Sequence, residues 1–308
     1  MKENNSHPKK ARILLKVAVG FILLIGTIGL VTQLLDVSAL VHAFAELPRE
    51  TWLIILALGA ASWCLRGLRT WILFPEIGLI DALGMSFIHN TANNLAPMRL
   101  GELALPALAK WLGNIGFSTG FTSLLWIRFL DLISLLGIGV CVLGLSRGGT
   151  AMLALLAVLI FLTPLLLRWT LPLLQTVPCP RVLHPIRAQL MYEATQGHRL
   201  HRLWRLTILS WLCKLMGMAV LLASLSGLDL SQVMAIILGA ELSSILPIHG
   251  LAGAGSYQAG GVLGSVLMGQ TALIGLQLSV QLHLYVLSLT CVFGILGALL
   301  LAKRTVHG

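Results

Sequence analysis

The chain has 308 residues, of which 57% are hydrophobic and 10% are charged. Because soluble domains carry about 25% charged residues, this composition excludes a water-soluble globule and predicts an integral membrane protein. The formal net charge of +10 lies mainly between apolar segments, where basic residues set topology and meet anionic lipid headgroups. We therefore expect anionic headgroups, and no nucleic acid, as partners.

Long apolar segments are the first elements along the chain. A membrane-crossing helix needs about 20 apolar residues. Six predicted spans meet this length: 13–35, 51–74, 119–145, 151–174, 206–227 and 277–302.

Two further apolar regions, 78–112 and 230–270, are interrupted at their centres. The first breaks at Pro97 and the second between His249 and Gly255. Each is predicted to be a re-entrant hairpin of two short helices. The expected fold class is all-α: a polytopic membrane helix bundle with about six full spans plus two re-entrant helical hairpins.

The distribution of Lys and Arg predicts the orientation. The basic residues before the first span place the N-terminus in the cytoplasm. The basic loop 175–205 and the C-terminus follow on the same side if the hairpins enter from opposite faces. The chain is then one integral membrane domain, 1–308, an inverted repeat of halves 13–145 and 151–302 in the cell (inner) membrane.

Both breaks predict helix starts deep in the membrane. Pro97 suits the first turn of a short helix at 98–112. Gly253 and Gly255 precede a helix predicted to start near Ser256. Each start presents free backbone N–H groups and a positive dipole end, and two such ends facing one cavity favour an anion.

Charged side chains occur near the first break. Arg99 would add a positive charge suited to a phosphodiester or pyrophosphate. Glu102, three residues on, could pair with Arg99, receive a cationic headgroup, or simply pin the hairpin. Asn94 either caps the broken backbone or hydrogen-bonds a headgroup, and capping is favoured.

Arg128 and Asp131 lie within an otherwise apolar span. Each charge costs about 2.5–3.5 kcal/mol at the centre of a bilayer, so we expect both to face the protein interior and to be paired. A direct Arg128–Asp131 clamp is the structural alternative. Four other charged residues lie in apolar segments, and each is either paired in the interior or reaches an interface: Arg66, Arg69, Lys214 and Glu241. The two arginines could alternatively reach the cytoplasmic interface.

His249 lies at the second tip, as a hydrogen-bond partner or as a proton-linked group. The cysteines show no ligand spacing, and no Asp-x-Asp or His-Glu-x-x-His motif occurs. The sequence therefore predicts neither a metal site nor a cofactor, and it assigns no catalytic residue.

Four motifs in order resemble the lysylphosphatidylglycerol synthase transmembrane family. They are Arg66-x-x-Arg69-x-Trp71, Asn94-x-x-Pro97-x-Arg99-x-Gly101-Glu102, Arg128-x-x-Asp131, and Leu246-Pro247 followed by Gly253-x-Gly255-x-x-Gln258. The resemblance implies a bundle related to the lipid-flipping half of bifunctional lysyl-lipid synthases. Their soluble aminoacyl-transfer domain is absent here, so lysyl-lipid synthesis is not implied. The family commonly has Glu where this chain has Gln258, so a coupling role for that carboxylate is not carried over.

Three functions remain open. The first is translocation of a phospholipid or a polyprenyl-linked lipid, with Arg99, Glu102, Arg128 and Asp131 along the path. The second is a membrane-embedded transferase that acts on a lipid-linked saccharide or headgroup donor. The third is a scaffold that recruits envelope-synthesis enzymes through the basic loop.

Overall fold

The computed structural model describes residues 21–22, 24–145, 151–170, 176, 178, 180, 184–244 and 250–307. Every regular element in these ranges is helical. In chain order the α-helices are α1 (Leu24–Leu34), α2 (Val37–Ala45), α3 (Arg49–Leu73), α4 (Leu79–Leu95), α5 (Ala104–Gly113), α6 (Phe117–Leu145), α7 (Ala151–Thr170), α8 (His184–Thr195), α9 (Gly197–Ser226), α10 (Leu230–Ser243), α11 (Ser256–Leu267) and α12 (Ala272–His307). Two 3-10 segments, Pro97–Leu103 and Leu251–Gly253, lie within the breaks.

Four helices are long and apolar enough to cross a membrane: α3, α6, α9 and α12. A fifth candidate exists within the described ranges if α1 and α2, which are bent by 83° relative to each other, form one broken span. Helix α7 occupies most of the predicted span 151–174. The predicted all-α membrane fold is confirmed, and the predicted number of spans remains a prediction.

The same order of elements occurs twice along the chain. In the first half, a long helix (α3) is followed by a broken pair (α4 and α5) and a second long helix (α6). In the second half, α9, the pair α10 and α11, and α12 follow the same order. Both broken pairs lie where the interrupted apolar regions predicted them.

The two halves pack closely against each other. Helix α3 packs along α9, and α4 packs along α12, so each half supplies helices to the other. Within the second broken pair, α10 and α11 approach at glycines: a Cβ on Gly260 would overlap the carbonyl of Gly239.

Two connections contain more helix than the sequence predicted. The region 175–205, expected to be a loop, includes α8 and the first turns of α9. The connection 36–50 contains α2, whose first turn is capped by the Asp36 carboxylate. Leu200, Leu203 and Trp204 of α9 are buried, and this apolar packing stabilises the helix before the predicted span 206–227.

Candidate functional site

The first tip is the break between α4 and α5, and it begins as a 3-10 helix over Pro97–Leu103. Pro97 occupies its first position, and the α-helix starts only at Ala104. The predicted helix at 98–112 is therefore tighter over its first turns. Gly101 explains part of this path, since a Cβ there would overlap the backbone of Ala92 in α4.

Arg99 has a left-handed backbone, with φ of 57°. A non-glycine residue in this region costs about 1–3 kcal/mol and is enriched at functional sites. Its Nη2 lies 2.8 Å from Oε1 of Glu102, so the predicted pairing forms. Arg128 of α6 reaches the same oxygen with Nε at 3.2 Å. Glu102 therefore bridges two arginines from different elements.

The second tip is the break between α10 and α11, which includes Leu251–Gly253. The helix after it, α11, starts at Ser256, as predicted. Gly253 and Gly255 have φ of 81° and 86°, and this left-handed backbone is accessible to glycine. The backbone N–H of Gly255 donates to Oε1 of Gln258 at 2.9 Å. This helix start is thus partly capped by its own chain and offers fewer free N–H groups than expected.

Gln258 also connects this tip to α12. Its Nε2 lies 2.8 Å from Nδ1 of His283, and Nε2 of His283 lies 2.7 Å from the carbonyl of Ala252. Since an amide nitrogen only donates, these partners assign the proton of a neutral His283 to Nε2. Ala252 has a left-handed backbone, φ 53°, like Arg99 at the first tip.

The two tips meet. The segment Leu251–Gly253 contacts both the segment Pro97–Leu103 and helix α4. His249 lies outside the described residues.

Asp131 is clamped mainly by Arg69. Nη1 of Arg69 lies 2.6 Å from Oδ1 of Asp131, and Trp211 Nε1 donates to the same oxygen at 3.0 Å. The predicted partner, Arg128, is farther away, with Nη1 3.8 Å from Oδ2. Arg69 is only 5% exposed, so it is an interior group and does not reach the interface.

These groups surround a cavity of about 230 Å³, which we call the arginine cavity. Four cations and two carboxylates line it, an excess of two positive charges. Its lining comprises Arg66, Asn90, Asn93, Asn94, Arg99, Arg128, Phe129, Asp131, Leu132, Trp211, Lys214, Glu241 and Ser244.

Several buried polar atoms of this lining have no hydrogen-bond partner among the described residues. They include Nε and Nη2 of Arg66, Nη2 of Arg128 and Oδ1 of Asn93. The Trp211 ring lies against two cations, 5.2 Å from Cζ of Arg66 and 5.1 Å from Nζ of Lys214. Buried unsatisfied donors are costly, so an anion in this cavity would gain charge-assisted hydrogen bonds.

A smaller cavity, about 40 Å³, lies beside the second tip, and we call it the tip cavity. It shares four wall residues with the arginine cavity: Asn94, Lys214, Glu241 and Ser244. In this shared wall, Nζ of Lys214 lies 2.6 Å from Oε2 of Glu241. The hydroxyl of Tyr257 donates to the other oxygen of Glu241 at 3.1 Å.

Asn94 does not cap the broken backbone, which is the role that the sequence favours. Its Nδ2 donates to Oγ1 of Thr290 in α12 at 2.8 Å, and the 3-10 segment after it has no side-chain cap. Asn94 therefore holds the first tip to the second half of the chain.

Five of the predicted site residues line the two cavities, and Asn94 lines both, whereas Pro97, Glu102, Gly255 and Gln258 line neither. Asn94, Arg99, Arg128 and Asp131 line the arginine cavity, whereas Gly253 lines the tip cavity. Sequence reasoning missed three contributing side chains: Trp211, Tyr257 and His283. A histidine inside the apolar segment of α12 was the available signal, since ionisable groups within spans are usually functional.

The described residues contain no group of three or more His, Cys, Asp and Glu side chains arranged to hold a metal ion.

The fold and the site define an integral membrane protein with a buried, cation-rich cavity between two broken helix pairs. Residues 13–300 match the family described as Lysylphosphatidylglycerol synthase TM region, and the chain belongs to this family.

One relative is Glycosyltransferase AglD of Haloferax volcanii, which is 28% identical over 138 residues. The match covers 43% of this chain and 22% of AglD, so the chain spans about a fifth of that relative's length. No solved structure matches the chain.

Proposed function

We propose that the protein translocates a lipid with a phosphate-containing headgroup, either a phospholipid or a polyprenyl-linked lipid, across the cell membrane. The headgroup passes through the arginine cavity while the acyl or prenyl tails stay in the bilayer. The excess of cations over carboxylates in this buried cavity is the observation that carries the proposal.

The geometry of the cations favours phosphate. Guanidinium groups bind phosphate oxygens in pairs, with charge-assisted hydrogen bonds. Arg66 and Arg128 retain donors without partners among the described residues. These donors lie on different helices, α3 and α6, so one phosphate between them would accept hydrogen bonds from both arginines.

A lipid also needs a lateral opening for its tails. Phe129 and Leu132 of α6 line the arginine cavity and are 38% and 37% exposed. Their position supports a passage from the cavity to the surrounding lipid along this face of α6.

The two cavities on either side of the Lys214–Glu241 pair support alternating access. A headgroup phosphate that attracted Lys214 would loosen its ion pair with Glu241 and open the shared wall. Rocking of one half of an inverted repeat against the other would then expose the site to each side in turn.

Reconstitution with fluorescent phospholipids, and in parallel with a fluorescent polyprenyl-phosphate lipid, tests the proposal. Wild-type vesicles should exchange lipid between leaflets, and Arg128→Ala should slow exchange about tenfold or more, the loss expected for a charged hydrogen bond of at least 1.5 kcal/mol. Lys110→Ala is the matched control, because Lys110 is exposed on α5 and outside the cavity lining. Absence of exchange in the wild type, or equal exchange in Arg128→Ala, overturns the proposal.

A second candidate is a transferase that acts on a lipid-linked saccharide. The similarity to Glycosyltransferase AglD favours it. Glu102 and Asp131 both lie within ion-pair distance of Arg128. Mass spectrometry of the lipids after incubation separates the two functions, since a translocator leaves its lipid chemically unchanged.

A further inference from the structure

A third cavity, separate from the two tips, lies between α7 and α9. Its volume is about 480 Å³, within the range of about 300–1,000 Å³ that small-molecule sites occupy. Its lining is mainly apolar and consists of Pro164, His201, Trp204, Arg205, Ile208, Leu209 and Leu212. We call it the α7–α9 groove.

The groove follows one face of α9. Its α9 residues recur every three or four positions from His201 to Leu212, which is the spacing of a single helix face. Pro164, which lines the groove from the described part of α7, lies inside that helix, and an interior proline disturbs the packing of its own turn.

The polar end of the groove lies next to a water boundary. Trp169, at the end of α7, is 72% exposed, and exposed Trp side chains mark membrane interfaces. The neighbouring Arg168 approaches Gly197 at the start of α9. His201 lies one helical turn after the first residue of α9.

The groove has the depth of one leaflet. His201 and Leu212 lie eleven positions apart, which corresponds to a rise of about 16 Å along a helix. Half of the hydrocarbon thickness is about 15 Å. A single acyl chain would therefore run from the interface to the middle of the bilayer along α9.

The charge at the polar end is positive. Arg205 is exposed and donates from Nε to the carbonyl of His201 at 3.4 Å, which places its guanidinium at this end. From 181 to 205 the sequence has five arginines and one glutamate. Basic residues beside a membrane attract anionic lipids.

From these observations we infer that the α7–α9 groove binds one anionic glycerophospholipid, with an acyl chain against Trp204, Ile208 and Leu212 and its phosphate at Arg205 and His201. This site is separate from the arginine cavity. It would hold its lipid without translocating it, and would fix α7 to α9.

Native mass spectrometry of the purified full-length chain tests this. The protein in mild detergent is mixed with phosphatidylglycerol or phosphatidylcholine of identical acyl chains, and retained lipid is counted. The wild type should retain phosphatidylglycerol preferentially. Arg205→Ala should weaken this retention about fivefold, the effect of one interfacial cation.

Two matched controls isolate the groove. Arg202→Ala removes the same charge from an exposed residue of α9 outside the lining and should leave the preference unchanged. Leu209→Trp fills the groove and should lower the number of retained lipids by one and remove the preference for phosphatidylglycerol, whereas Leu284→Trp, on the exposed surface of α12, should do neither.

The inference is overturned if the two lipids are retained equally, if Arg202→Ala and Arg205→Ala weaken retention alike, or if Leu209→Trp behaves as Leu284→Trp. None of these measurements depends on lipid exchange between leaflets, so failure of the proposed function would leave them interpretable.

Discussion

Arg69 and Asp131, 62 residues apart in sequence, form a 2.6 Å ion pair that joins α3 to α6. Thr207 and Trp211 of α9 contribute further hydrogen bonds to the same two side chains. Three of the long helices are thus held together at one buried polar centre, next to the arginine cavity.

Asp131→Asn should destabilise the protein by about 3–5 kcal/mol, because it leaves the Arg69 charge buried without its counter-ion. Combining it with Arg69→Met should recover most of the loss, since both charges are then gone. Unfolding midpoints in mild detergent measure this. A double variant as unstable as Asp131→Asn alone would contradict the ion-pair explanation.

Gly101→Ala should strongly destabilise the first tip, because the added Cβ would overlap the backbone of Ala92. Backbone cannot move aside as a flexible side chain does. Gly29→Ala is the control: a Cβ on Gly29 would meet nothing within 4 Å, so its midpoint should stay at or slightly above the wild-type value. Thermal unfolding of both variants provides the comparison, and equal midpoints would count against close packing at Gly101.

Gln258→Glu should reverse the pH dependence of stability at the second tip. In the wild type, protonation of His283 at Nδ1 breaks its hydrogen bond with Nε2 of Gln258, so stability falls as pH falls. In the variant, the carboxylate at position 258 can accept a hydrogen bond from the protonated Nδ1 of His283. The variant should therefore gain stability as pH falls and lose it as pH rises.

Unfolding midpoints of this variant and the wild type from pH 8 to pH 5, each taken as the difference from a variant that lacks His283, give the two slopes, and slopes of the same sign would contradict the assigned tautomer. His283→Asn is the matched control, because it removes the titrating ring while retaining hydrogen-bonding groups.

Asp229→Ala should lower the unfolding midpoint at pH 7. Hydrogen bonds from the Ser231 hydroxyl and the Gln232 backbone N–H hold the pKa of the Asp229 carboxyl below its ordinary value of 3.8. A lowered folded-state pKa gives stability that is present above the unfolded pKa and lost as pH falls through the folded one.

The midpoint difference between the wild type and Asp229→Ala should therefore shrink below pH 3.8. Asp229→Asn should retain the cap without this titration. A midpoint difference that stays constant down to acidic pH would contradict the assignment.

The order of helices and the two breaks could be predicted from the sequence, because apolar length and proline or glycine interruptions act locally. The helix start at Ser256 follows from the preceding glycines in the same way. The first turns after Pro97 could not be predicted, since their 3-10 geometry depends on the approach of Gly101 to α4.

Pairing between distant charges could not be predicted either. Spacing of three predicts Arg128 as the partner of Asp131, but α3 and α6 both pack against α9, and this arrangement brings Arg69 closer. Similarly, Lys214 and Glu241 were noted as charges in apolar segments, and only the fold places them 2.6 Å apart.

The wall between the arginine cavity and the tip cavity makes their occupancy interdependent. Lys214 has a single ammonium group, which cannot neutralise Glu241 and follow an incoming anion at the same time. An anion bound in one compartment would therefore alter the electrostatic cost of filling the other, which would couple the two compartments.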